Sequence, residues 1–416
     1  MPEPHLLDSP RRRPWPGLTP LPAHRVDAPP ERVAVAVVGA GPAGLAVASA
    51  LWHLGVDDVA LFDAADRSCG RFFDRVDVLG QRVLRSPYEH HPGVEGYRDC
   101  ELLDFARLHW GALTPVERRE VRMAQAGHRS VVPLDVFEAF CGHVADVHGV
   151  AERTWRTVVR SVEPGPDGVR LRTDAGEVGA RFVVLCLGEE RRAAPEGWHG
   201  GYWDEQAPQD GSLVVVGAGL SAAHLLADAI AAGRQAHWVL RGEQERYQCA
   251  DVNASFFRPE GRARFTGTPW ERRLELMARH RRASVMFEFR PLLEAAEADG
   301  RLVVHRGADI EGVDHGKVRL AGGQVVAGDH VALALGTTPS IGAGLLPDAV
   351  VNAVDGWPDL DPATLSYSRA PRVFAVGAAA CMALGPAARN IDGHRVATAR
   401  VAGAVAAGLG ARVGAP

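Results

Sequence analysis

Val33-Ala34-Val35-Ala36-Val37-Val38-Gly39-Ala40-Gly41-Pro42-Ala43-Gly44 is the stretch from which the fold can be read. Six apolar residues in a row suit a strand buried on both faces, as in a parallel sheet. The glycines at 39, 41 and 44 form G-x-G-x-x-G, and a helical pattern over Leu45 to Leu54 follows. A second apolar run, Val59 to Phe62, ends at Asp63. Strand, glycine turn, helix, strand and acidic residue is the order of a dinucleotide-binding βαβ unit. In that unit Gly39 makes the tight turn and Gly41 lets the backbone approach a pyrophosphate. Pro42 and Ala43 open the helix, and Gly44 allows helix and strand to pack closely. Asp63 is expected to accept hydrogen bonds from an adenosine ribose.

The pattern recurs 178 residues later, with a strand at Leu213 to Val216, the loop Gly217-Ala218-Gly219-Leu220-Ser221-Ala222, a helix from Ala223 to Ala231, and a strand from His237 to Leu240. Gly217, Gly219, Ser221 and Ala222 are the binding-loop candidates. Arg241 stands 24 residues after Gly217, as Asp63 stands 24 after Gly39. A carboxylate there suits a free ribose 2′-hydroxyl, and a guanidinium suits a 2′-phosphate. FAD is therefore expected in the first unit and NADPH in the second. Arg246 is a further candidate for that phosphate, or a solvated surface charge.

The fold class expected is α/β, with two Rossmann-like dinucleotide-binding domains, the NADP domain being inserted into the FAD domain. Its parts are a Pro-rich arm at 1–32, the FAD domain at 33–194 and 331–416, and the NADP domain at 195–330 with a helical insertion near 250–300. Further strands end in glycine at Gly188, Gly336 and Gly377, and a helix is expected over His394 to Leu409. The alternating stretches Thr154 to Val162 and Val169 to Thr173 suggest a small antiparallel sheet.

Composition narrows the chemistry. A net charge of −5 over 416 residues offers no basic patch for nucleic acid, and no apolar run reaches the eighteen residues of a membrane span. Lysine plus arginine is 46, yet the sole lysine is Lys317, so Schiff-base and P-loop mechanisms have almost no donor. The six cysteines show neither C-x-x-C nor metal-ligand spacing, so no metal is expected and a reduced, cytoplasmic enzyme is. Residues 1–32 hold nine of the 28 prolines and Arg11-Arg12-Arg13 without an apolar segment, which suggests a disordered or surface-draped arm. Oligomeric state is open.

With both loops in order, the chain resembles the two-dinucleotide-binding-domain flavoproteins, and among them the class B flavin monooxygenases: ornithine and lysine N-hydroxylases, flavin-containing monooxygenases and Baeyer–Villiger monooxygenases. Trp198-His199-Gly200-Gly201-Tyr202-Trp203-Asp204 is similar to the H-x-x-x-W-[PD] half of the last group's fingerprint, although Ala193 and Pro195 stand where Phe and Gly would. Gly217 to Ala223 looks like the G-x-G-x-S-A-A loop, with His224 replacing the usual glutamate. Ala250 to Glu260 is similar to the N-hydroxylase segment carrying Asn, Phe and Pro-Glu, in which Asn253 would help hold substrate. The family's Gly-Asp at the ribityl chain is here Gly377-Ala378.

The resemblance implies an FAD- and NADPH-dependent monooxygenase, in which O2 adds at flavin C4a and a small molecule is oxygenated, with an amine favoured over a sulfide or ketone. It makes His199, Trp203, Asn253 and Arg85 the catalytic candidates, Arg85 replacing the lysine that holds the substrate carboxylate. His199 and Trp203 have the alternative of a packed interdomain linker, and Asn253 that of an Asx-turn residue. The competing functions are an NAD(P)H:acceptor oxidoreductase and, more remotely, a non-catalytic redox sensor.

Overall fold

The computed structural model describes residues 7, 20–94, 101–206, 208 and 210–410. Its first unit is built on a sheet in the order Ser366–Tyr367, Ala370–Ala375, Gly176–Leu185, Arg32–Val38, Val59–Asp63, Thr154–Arg156. All neighbours in it are parallel except Ser366–Tyr367. Val35 pairs with both Val59 and Phe182, and Val35, Ala36 and Val37 are fully buried. Burial on both faces explains why this strand reads as an unbroken apolar run. Proline at its first position starts the helix Pro42–His53, three residues before the expected Leu45, because a missing N–H costs nothing there. The last helix, Ile391–Leu409, packs against it.

The second unit has a five-stranded parallel sheet, ordered Gly201–Tyr202, His330–Leu333, Leu213–Val216, Ala236–Val239, Leu302–His305. A three-stranded antiparallel sheet, Ile310–Asp314, Lys317–Leu320 and Val325–Ala327, closes one face around Val313, Val318 and Val326. The chain passes between units on two short strands, Glu189–Arg191 and Thr337–Pro339, that pair antiparallel. The fold is thus α/β, with one dinucleotide-binding unit set into the other.

Three expectations need correction. The expected join between 330 and 331 cuts through the strand His330–Leu333, which is hydrogen-bonded on both sides within the second sheet. Thr154 to Val162 is two strands rather than one. Thr154–Arg156 continues the parallel sheet beside Val59–Asp63, and only Val159–Pro164 turns antiparallel to Val169–Thr173. The chain changes direction at Thr157, whose N–H donates to the Asp63 carbonyl at 2.8 Å. Third, the insertion near 250–300 does not form one body. Val252, Phe256, Phe265 and Met277 join the core of the first unit with Met382 and Ala387, whereas Val285, Phe289 and Leu293 join the second. The described part of the arm, residues 20–31, follows the surface-draped alternative: Ala23 bridges Arg67 and Arg25 bridges Trp155.

Two dinucleotide loops and the cleft between them

The three glycines of the first loop have separate steric jobs. Gly39 has φ +102°, and a Cβ there would strike the Cys186 carbonyl of the neighbouring strand. A Cβ on Gly44 would strike the Gly39 carbonyl, so the helix sits as close to the turn as glycine permits. Gly41 is different: no atom lies within 4 Å of its missing Cβ. That open space fronts a helix whose N-cap, Gly41, offers no side-chain acceptor, leaving first-turn N–H groups for an anion. The Asp63 carboxylate closes the far side, accepting from the N–H of Ala40 at 2.5 Å and of Ala65 at 2.7 Å.

In the second loop a Cβ on Gly217 would meet the Ala334 carbonyl, and the only neighbour of a Gly219 Cβ is Ala283 Cβ at 3.9 Å. Ala222 holds the third place and is completely buried. Ser221 lies in the first turn of the helix Leu220–Ala231. Arg241 follows the strand Ala236–Val239, exposed and without an ion pair among the described residues. His224, one turn further into the helix, is buried edge-on to Phe289 at 4.8 Å, and burial pushes its pKa down to about 3. It is a neutral core residue where the resembling enzymes have a charged one.

The segment 281–284 connects the second loop to residues of the first unit. Ala283 lies against Gly219, Arg281 pairs with Glu189 at 3.2 Å, and Ser284 is held by Arg85. Glu189, at the exit from the first unit, also takes Arg389 at 2.7 Å and the Thr337 hydroxyl at 3.0 Å. Burial opposes the charge of Arg389, but Glu189 and Asp251 more than offset it, and its pKa is raised. Beside this node Gly377 has φ +91°, and its missing Cβ would lie 3.6 Å from His394 Nε2. Burial lowers the His394 pKa to about 4. His394 Nδ1 and Asn390 Oδ1 are buried without a hydrogen-bond partner among the described residues. Both belong to the start of the last helix, which begins at Ile391, one residue after Asn390.

The catalytic candidates do not gather here. Arg85 donates to Gln248 O at 3.0 Å, Ser284 O at 3.1 Å, Ser284 Oγ at 2.9 Å and Cys249 O at 3.4 Å. Its guanidinium is therefore engaged within the protein, an alternative to the substrate carboxylate expected from the sequence. Asn253 Oδ1 accepts from Ser255 N at 2.9 Å, capping a short turn, and its side chain is exposed. That geometry favours the Asx-turn alternative. His199 stacks on His315 at 5.7 Å on the outer hairpin, whereas Trp203 is buried under Arg75 of the first unit. The two are apart and neither touches Gly377. Glu189, Arg281, Arg389, Asn390 and His394 were not singled out from the sequence. Glu189 follows Gly188 at the end of a strand, a position that could have flagged it, but one arginine among 45 carries no such signal.

A model of the NAD(P)-binding Rossmann-like domain matches residues 37–99. Tryptophan 2-monooxygenase of Agrobacterium vitis is 55% identical over 42 residues, which is 10% of this chain and 6% of that protein's length. Among solved structures, the reduced ornithine hydroxylase of Pseudomonas aeruginosa superposes with a TM-score of 0.72 at 17% identity, over 91% of this chain and 99% of that one. The chain has the fold of the flavin-dependent N-hydroxylases. The ornithine N-hydroxylase of Kutzneria sp. 744, solved with reduced FAD, NADP+ and L-ornithine, gives 0.72 at 16% identity, over 91% and 100%. The FAD-bound cadaverine monooxygenase of Erwinia amylovora gives 0.70 at 16%, over 90% and 94%. No helix among the described residues is long and apolar enough to cross a membrane.

Proposed function

We propose that this chain is an NADPH-dependent FAD monooxygenase that oxygenates a small molecule, with an amine nitrogen the favoured acceptor. One observation carries the reading: two dinucleotide loops whose glycines are fixed by backbone sterics, one followed by Asp63 and one by Arg241. The residues fit the cofactors. The space at Gly41 and the free helix N-terminus accept the FAD pyrophosphate, Asp63 the ribose, and the Gly377 backbone the flavin side. Gly219 and Ser221 accept the second pyrophosphate, and Arg241 the 2′-phosphate. FAD, when bound, supplies hydride acceptance from NADPH and activation of O2.

The protein's own part is positional. Phe256, Phe265 and Met382 belong to the buried core of the first unit and fix the insertion against it. His394, neutral at pH 7, can give or take one hydrogen bond through its unpartnered Nδ1 without adding a charge. His199 and Trp203 act through the interdomain linker. An amine is favoured because the proteins of like fold are named for hydroxylating ornithine or oxygenating cadaverine.

The test is oxygen accounting. Purified protein is reduced by NADPH without air and mixed with ¹⁸O2 in the presence of amine, sulfide and ketone panels. Incorporation of one labelled oxygen into product per NADPH supports the monooxygenase. Hydrogen peroxide equal to the NADPH consumed, with no oxygenated product and rapid electron transfer to a quinone, favours the acceptor oxidoreductase instead.

A further inference from the structure

The arm before the first strand is pinned to the turn that follows Asp63. In open α/β sheets ligands bind outside the carboxyl ends of the strands. Residues 22–24 pair with the turn 65–68 that follows Val59–Asp63, and Arg25 pairs beside Trp155 on the edge of Thr154–Arg156. The Ser68 N–H donates to Pro22 O at 3.1 Å, His24 N–H to Asp66 O at 2.8 Å, and Arg156 N–H to Arg25 O at 2.7 Å. The buried ring of His24 donates from Nδ1 to Ala65 O at 2.8 Å. The Ala65 N–H in turn donates to Asp63 Oδ1, and Asp63 Oδ2 receives the Ala40 N–H of the glycine loop. Outside, Arg25 lies over the Trp155 ring at 4.7 Å and donates to Glu152 O at 3.0 Å.

We infer that residues 22–25 form a strap that sets the adenosine side of the FAD site, with His24 as the positioning residue for the Asp63–Ala65 turn. Removing the strap frees residues 64–68, lets the Asp63 carboxylate turn away from the ribose, and opens that end of the site to water. The inference rests on FAD occupying the first unit. It concerns only the half of the cofactor that FAD has and FMN lacks.

That difference supplies the experiment, a fluorescence titration of cofactor-free protein with FAD and with FMN. His24→Ala is expected to weaken FAD about tenfold and leave FMN unchanged, whereas His24→Asn, which keeps a donor near Ala65 O, stays within about twofold of the parent for both. Arg25→Ala loosens the strap from its exposed side without touching the core, and is expected to weaken FAD about threefold. Equal losses for FAD and FMN, or lower thermal stability with both affinities kept, would overturn the inference and leave the strap as a cover for the sheet edge. A parent protein that takes up no FAD would instead refute the proposed function.

Discussion

Arg85→Ala separates a clamp from a substrate ligand. Three of its four hydrogen bonds are 2.9–3.1 Å long and end on Gln248 and Ser284, while the fourth acceptor, Cys249 O at 3.4 Å, keeps Arg129 at 3.1 Å. Charge-assisted bonds of this kind contribute roughly 1.5–3 kcal/mol each when measured singly, but bonds from one guanidinium are not additive. Ser284 is 2% exposed, so its carbonyl loses a partner that water replaces poorly. The loss is therefore placed at about 2–4 kcal/mol of docking between the first unit and the segments 248–249 and 284. For units of this size each kcal/mol moves Tm by about 2–4 °C, so a fall of roughly 4–16 °C is expected. Hydrogen exchange should show both segments opening together, and flavin reduction by NADPH should slow because Ala283 no longer lies fixed beside Gly219. Arg85→Lys restores the charge without the fork and should recover only part of the loss. The clamp is refuted if Arg85→Ala leaves Tm and exchange unchanged while raising the substrate KM.

Gly41→Ala and Gly44→Ala should behave oppositely. The first places a methyl in open space and is expected to lower FAD affinity while the cofactor-free protein melts as before; the second collides with Gly39 and should cost about 1–3 kcal/mol of stability with or without cofactor. Arg241→Ala should weaken NADPH roughly tenfold to a hundredfold and NADH hardly at all, judged from the KM for flavin reduction, and equal weakening would remove the phosphate assignment. His224 gives a pH signature. Its folded pKa, about 3, lies below that of an unfolded histidine, so between these values the unfolded chain binds the extra proton and stability falls as pH falls. From pH 7 to pH 5 the parent should lose about 2 kcal/mol more than His224→Leu in urea unfolding, and parallel curves would contradict a buried neutral imidazole.

Legibility in the sequence followed locality. Both glycine loops, their strands and the residues 24 positions on could be found because each unit is contiguous and each glycine answers to backbone sterics. The hairpin turn at Asp314-His315-Gly316-Lys317 is local in the same way, and Asp314 pairs with Lys317. What escaped was long-range. Alternation cannot tell whether Thr154 pairs with Val59–Asp63 or with Val169–Thr173, since Trp155 is buried either way. The motif around Asn253 matched a binding segment, but its polar atom is spent within two residues. Arg85 looked available because its partners lie more than 160 residues away. The Glu189, Arg281 and Arg389 node draws on both units and the insertion, so no window of sequence contains it.

The shared core around Phe256 and Phe265 bears on the order of events during synthesis. The second sheet is complete once Leu333 has left the ribosome, and it can close early. The first sheet must wait for Ala370–Ala375, and its helix Pro42–His53 for the partner helix Ile391–Leu409. Until then Phe256 and Phe265 have each other and His280, but lack Met382 and Ala387 of the completed core. The nascent chain thus carries a finished nucleotide unit with a greasy flap, which makes holdase protection and slow emergence of the last 50 residues matter more for yield than the stability of the finished enzyme. A chimera that exchanges the second unit should leave residues 250–280 with the first.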